Sequence, residues 1–166
     1  GEWYLSEQQF SKAYDSFNKT GDSERILCHL NEPANIRNDL KAFAGFEEMF
    51  FRTQKKLLFQ YPLAYLQFIL LLILMGVEDK GAGWMERLEE LQAYFETTND
   101  YDEPYRNQMI AEMLIIKKFL LFNDLVAFSE SNSEIIRRLN GRQSYIMIRE
   151  NEFTFGSPHY TYIYFK

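Results

Sequence analysis

The stretch from Pro62 to Met75 reads Pro-Leu-Ala-Tyr-Leu-Gln-Phe-Ile-Leu-Leu-Leu-Ile-Leu-Met, and it limits what this chain can fold into more than any other. It carries no charge, and only Gln67 interrupts it with a polar side chain. A helix with no polar face has to be covered on every side, so the remaining residues must be folded around it. The competing reading is a membrane span, which needs about 20 apolar residues to cross roughly 30 Å of hydrocarbon. The uninterrupted run, Phe68 to Met75, is far shorter, and Glu78, Asp79 and Lys80 follow at once. Pro62 suits a first helical turn, where its missing N–H is not needed. Gly76 suits the stop. The stretch is therefore read as the central buried helix of an all-α chain, with no membrane contact.

The chain has 166 residues, enough for one domain with a substantial core. Its hydrophobic share of 46% and aromatic share of 17% argue for a packed chain rather than a disordered one. A net charge of -6 argues against a nucleic-acid surface. The single cysteine, Cys28, excludes an internal disulfide and fits a reducing, cytoplasmic setting. No basic region followed by an apolar run opens the chain, so no secretory signal is expected. Gly1 stands where a starting Met would, and is read as a residue left by cleavage. Residues 1–166 are accordingly expected to form a single helical-repeat domain, a fragment of a larger protein.

Apolar spacing predicts the surrounding helices. Phe10, Ala13, Tyr14 and Phe17 recur at helical intervals. Gly21 is placed to close that helix and Asp22 to cap the next, which carries Ile26, Leu27 and Leu30 and ends at Asn31-Glu32-Pro33. Residues 35–60 read as amphipathic helix broken near Gly45, with Phe46, Met49, Phe50, Leu57 and Leu58 opposite Arg52, Lys55 and Lys56. Residues 80–95 turn Met85, Leu88, Leu91 and Phe95 inward and Glu86, Arg87, Glu89 and Glu90 outward. After a polar turn over 97–103, Pro104 starts a long helix through Met109, Ile110, Met113, Leu114, Leu120 and Leu121. Asn123-Asp124 is a turn and cap, Leu125 to Leu139 the next helix, and Asn140-Gly141 its stop. Residues 142–153 read as an irregular loop. No stretch carries a convincing strand pattern.

Short turns between six or more helices suggest antiparallel hairpins. Ala13 and Phe17 are spaced as in the A-x-x-x-F of the tetratricopeptide (TPR) repeat. The expected architecture is a stack of such hairpins, a degenerate TPR-like right-handed superhelix, in which inner helices are covered by neighbours on both sides.

Catalytic signals are weak. Cys28-His29 brings two soft ligands together, but a zinc site needs four, and His159 is far along the chain. A packed cysteine beside a partly exposed histidine is the expectation. Glu47-Glu48 and Glu89-Glu90 are paired carboxylates on polar helix faces, where a solvated surface is the simpler account. No phosphate-binding loop, dinucleotide fingerprint or nucleophile elbow occurs. Asn18-Lys19-Thr20 matches a glycosylation pattern that is common by chance. No enzyme activity and no cofactor in this segment are expected.

Ser131-Asn132-Ser133-Glu134-Ile135-Ile136-Arg137-Arg138-Leu139 is similar to the S-N-x-E-I-A-x-x-L of LuxR-type helix-turn-helix domains. Bulky Ile136 replaces the alanine at the close helix approach, and Asn140-Gly141 breaks the chain where a recognition helix would follow. Direct nucleic-acid binding is therefore not expected. More distinctive is Phe153-Thr154-Phe155-Gly156-Ser157-Pro158, which resembles the T-F-G-S-P segment in the helical-repeat region of large MalT-like, LuxR-family transcriptional regulators. Gly1-Glu2-Trp3-Tyr4 with Ala13 and Gly21-Asp22 looks like the entry to that region. Tyr61-Pro62-Leu63 to Leu74-Met75-Gly76 looks like its P-x-L … L-x-x-x-G helix, and Lys80-Gly81-Ala82 to Leu88-Glu89-Glu90-Leu91 like the helix after it. His159 and Tyr160 stand where small or aliphatic residues are more usual.

Such regulators join a P-loop nucleotide-binding domain, a winged-helix linker, a helical-repeat sensor and a C-terminal LuxR DNA-binding domain. The resemblance implies that this chain is the start of the sensor, a non-catalytic segment that couples an inducer or partner protein to the nucleotide switch. Its partners would be the nucleotide-binding and DNA-binding domains of the parent, and an unidentified inducer or protein. Thr154, Phe155, Gly156, Ser157 and Pro158 are the family-motif or interaction residues. Gly156 permits an unusual backbone angle, Ser157 suits a cap and Pro158 a first turn, so a loop-to-helix junction explains them without a ligand. The alternative function is a helical protein–protein interaction scaffold unrelated to transcription, and a small helical enzyme is a third. The aromatic segment Tyr160, Tyr162, Ile163, Tyr164 and Phe165 is expected to fold back on the 104–139 helices, with self-association through 160–165 as the other outcome.

Overall fold

A computed structural model describes residues 1–36, 45–74, 83–118 and 124–146. Among these residues every regular element is helical and no strand occurs. The α-helices are α1 (Glu2–Ser6), α2 (Phe10–Lys19), α3 (Ser23–Asn31), α4 (Phe46–Arg52), α5 (Lys55–Gln60), α6 (Pro62–Leu74), α7 (Trp84–Thr97), α8 (Glu103–Lys117) and α9 (Leu125–Leu139). A 3-10 turn over Pro33–Asn35 follows α3.

Helix α6 is the hub. It packs against α3, α4, α5, α7 and α8. Leu63, Ala64, Tyr65, Leu66, Gln67, Phe68, Ile69 and Leu72 are all buried. Cover is less complete toward its end, where Leu70, Leu71 and Ile73 are half-buried. Phe68 stacks on Phe50 with ring centroids 4.5 Å apart and meets Phe46 and Phe51 edge-on. The one polar residue has a structural use: the Gln67 side-chain amide donates to the Leu30 carbonyl at 2.7 Å. Leu63 N–H donates to the Asn31 side chain at 2.8 Å. Both bonds tie α6 to the last turn of α3, where helix carbonyls lack intrahelical partners.

The turn between α2 and α3 follows the predicted chemistry. Gly21 adopts φ +76°, its N–H reaches the Asn18 carbonyl, and Asp22 N–H reaches that of Phe17. This paired closure is the Schellman arrangement, in which glycine takes the left-handed position at least cost. The Asp22 side chain then accepts from Arg25 N–H, capping α3. Asp102 and Asp124 cap α8 and α9 in the same way. Helix α9 has the predicted bounds, and Asn140 and Gly141 end it with positive φ.

One predicted element differs. The amphipathic stretch 35–60 has a second break at Thr53 and Gln54, both in extended backbone. Thr53 Oγ1 donates to the Met49 carbonyl at 2.7 Å, so a side chain takes up a carbonyl of the ending helix. Asn35 belongs to the 3-10 turn rather than to the start of that stretch. Of the sequence-adjacent helices, α1 packs on α2, α2 on α3, α7 on α8 and α8 on α9. Among the described residues no helix is long and apolar enough to cross a membrane.

Candidate functional site

The motif residues Thr154, Phe155, Gly156, Ser157 and Pro158 lie outside the described residues, as do 160–165, Met75, Gly76, Leu120 and Leu121. The candidate sites among the described residues are elsewhere.

An open cleft of about 570 Å³ lies between the α2–α3 turn and the α4–α5 junction. Gly21, Asp22, Ser23 and Glu24 form one wall, and Arg52, Thr53, Gln54, Lys56, Leu57 and Gln60 the other. The two features that shape it are local: the left-handed Gly21 turns the chain on one side, and the Thr53–Gln54 break does so on the other. Its walls have opposite charge, Asp22 and Glu24 facing Arg52 and Lys56. Much of that charge has a local partner. Asp22 pairs with Arg25 at 3.1 Å, Glu24 accepts from the Tyr61 hydroxyl at 3.0 Å, and Arg52 donates to Asn18 at 2.9 Å. Burial, followed by the bond to Glu24, pushes the Tyr61 phenol up in pKa. The cleft is thus lined by charges of both signs, most of them already engaged by neighbouring side chains.

Among the described residues no group of His, Cys, Asp or Glu is arranged to hold an ion. Cys28 is exposed, which corrects the expectation of a packed cysteine. Ile26, Leu27 and Leu30 fill the inward side of α3, and position 28 falls on the outward one. His29 Nδ1 instead lies 2.8 Å from the Tyr14 hydroxyl. Partial burial lowers the imidazole pKa, with Glu32 opposing, so the ring is held toward its neutral form beside an aromatic cluster of Phe10 and Tyr14.

Of the paired carboxylates, Glu89 is exposed while Glu90 is half-buried and bridges to Lys55 of α5 at 2.6 Å. The stretch Ser131 to Leu139 is the second half of the single helix α9, and the residues after it, 142–146, contain no helix. Its Glu134 is engaged by Arg137 and Arg138, whose hydrogen bonds pull the carboxyl down to about 2. Arg138 also donates to Asn107 of α8 at 3.1 Å. Arg138 thus ties α9 to α8, and among the described residues no helix follows α9.

The group that sequence reasoning missed is Glu112. It sits in the middle of α8, fully buried, and accepts from Gln108 Nε2 at 2.7 Å, Ser144 Oγ at 2.6 Å, Tyr145 N–H at 2.7 Å and Ile146 N–H at 3.3 Å. Burial, the larger effect, raises its pKa, and these four bonds pull the other way. Gln108 adds a second contact from the same face, donating to the Gln143 carbonyl at 3.0 Å. Local spacing places Gln108 and Glu112 four residues apart beside the buried Met109, Ile110 and Met113, but says nothing of the distant partners.

Comparison with family models, with curated proteins and with solved structures returns no match for this chain.

Proposed function

We propose that this chain is a non-catalytic, ligand- or partner-sensing helical module, the start of the helical-repeat region of a bacterial MalT-like, LuxR-family transcriptional regulator. The observation that carries this reading is the packing of short helices on their sequence neighbours around one buried helix, with an open mixed-charge cleft between two of the turns. Repeat proteins bind partners on such surfaces, formed by side chains and turns of successive units. The finer architecture goes with the same proposal: antiparallel hairpins stacked as a degenerate TPR-like right-handed superhelix, acting in the cytoplasm. Within the regulator the nucleotide-binding and DNA-binding domains would be its partners, and the inducer or protein would occupy the cleft.

The engaged state of the perturbed ionisable groups supports a binding role. Glu112 is committed to main-chain and side-chain donors, and Glu134 to two arginines. Sites for acid–base chemistry instead bring such groups to a shared cavity. The full sequence of the encoding gene tests the proposal. A P-loop domain upstream and a LuxR DNA-binding domain downstream are expected. A gene with neither overturns it and leaves the helical interaction scaffold.

A further inference from the structure

We propose that the Glu112 carboxylate is a latch: it clamps residues 143–146 onto α8, fixes the direction in which the chain leaves α9, and opens without unfolding α6. The geometry is specific. Helix α9 ends in two successive left-handed residues, Asn140 and Gly141, which reverse the chain and leave it without helical hydrogen bonds. The next residues are held from the side by α8. Glu112 Oε1 takes Tyr145 N–H and Gln108 Nε2, while Oε2 takes Ser144 Oγ and Ile146 N–H. Ser144 Oγ also accepts from Ile146 N–H at 3.2 Å, so the serine bridges carboxylate and backbone. Gln108 holds the carbonyl of Gln143. Arg142 completes the reversal, donating to the carbonyls of Leu139 and Pro104. Side chains two turns apart or less on one helix thus hold a segment more than thirty positions later in the chain.

Two features separate this contact from ordinary core packing. Three of its bonds, from Ser144, Tyr145 and Ile146, converge on one carboxylate, which engages these residues together. The carboxyl accepts four hydrogen bonds and donates none, which favours its ionised form against the upward push of burial, and hydrogen bonds to charged groups exceed neutral ones roughly twofold. Ile146 is buried behind the latch and Tyr145 packs against the core, so opening exposes apolar surface only at this end of the bundle. Helix α6 also packs on α3, α4, α5 and α7, none of which supplies a hydrogen bond of the latch.

Residue-resolved amide hydrogen exchange on the full chain tests the proposal, comparing wild type with Glu112→Leu, Glu112→Gln and Ser144→Ala. Leucine removes the acceptor at similar bulk. The Tyr145 amide should then exchange about 10- to 100-fold faster, the range for losing one charge-assisted hydrogen bond. The α6 amides should keep most of their protection. Glutamine preserves one oxygen for Tyr145 and places an amide where Ser144 Oγ can accept, so its effect should be smaller than that of leucine. Ser144→Ala should speed exchange at Ile146 more than at Tyr145. Unchanged Tyr145 exchange in Glu112→Leu overturns the latch. So does an equal rise at Tyr145 and throughout α6, which would make Glu112 a general stabiliser. If Glu112→Leu does not fold, the decision rests on Ser144→Ala, where unchanged exchange at Ile146 overturns the proposal.

Discussion

Replacing Phe68 with alanine removes the ring at the middle of the bundle. Phe68 is fully buried, stacks on Phe50 at 4.5 Å with an interplanar angle of 8°, and meets Phe46 at 5.7 Å and Phe51 at 5.4 Å. Truncating a buried Phe to Ala costs roughly 3–5 kcal/mol, through lost transfer energy and the cavity left behind. Each aromatic pair contributes about 0.5–1.5 kcal/mol beyond area, partly counted already in that range. The stacked geometry places this site in the upper half, about 4 kcal/mol. That is a large part of the ~5–15 kcal/mol that holds a typical domain folded. At about 2–4 °C per kcal/mol for a domain of this size, the melting temperature should fall by roughly 8–16 °C. Urea unfolding followed by far-UV circular dichroism measures the loss directly, with an unchanged m value marking a change in stability alone. Glu89→Ala, on the exposed face of α7, is the control and should stay within about 0.5 kcal/mol of wild type. A loss below about 1 kcal/mol for Phe68→Ala would refute the reasoning, because a hub position cannot behave like a surface one.

Other outcomes follow from the same contacts. Leu66→Asp should prevent folding, since it buries an unpaired charge, whereas Leu71→Asp at a half-buried position should be milder; circular dichroism of the two variants checks the order. Asp124→Ala removes the acceptor for Ala127 N–H and should cost about 1 kcal/mol, read by thermal melt and by faster exchange in the first turn of α9. Glu134 titrates near 2 in the folded chain, below its ordinary value of 4.5, so its stabilising contribution is present above about pH 4.5 and fades as the pH falls toward 2. Arg138→Gln should raise the Glu134 pKa in an NMR titration, and an unmoved value would contradict the assigned pairing. The purified chain should neither hydrolyse ATP nor bind duplex DNA at physiological salt; sequence-specific DNA binding would restore the helix-turn-helix reading of Asn132 to Leu139.

The elements legible in the sequence are those whose signal is local. The all-apolar run named α6, and Gly21-Asp22 and Asn140-Gly141 marked turns through backbone conformations that few other residues adopt easily. The α4–α5 break was not legible, because Thr53-Gln54 holds neither glycine nor proline and the hydroxyl of Thr53 acts only once α4 has formed. Cys28 was misread although its spacing from Leu27 and Leu30 turns it outward. Glu112 stayed hidden for a different reason. A glutamate reads as surface by default, and its partners Ser144, Tyr145 and Ile146 lie 32 to 34 residues away, beyond any periodicity. The cleft, too, joins turns some thirty residues apart, brought together by packing on α6 and by the Arg52–Asn18 and Tyr61–Glu24 hydrogen bonds.

The central claim is that the chain is folded around α6, and native-state hydrogen exchange across the whole molecule tests it most directly. Amides of a core helix exchange only through global unfolding, while those of peripheral helices open locally at lower free energy. The slowest amides should be those of Tyr65 to Ile69, with a free energy of exchange equal to the stability measured by urea unfolding, and α1 and the first turn of α9 should exchange by local opening. Amides in α6 that exchange as readily as those of α1 would contradict the account.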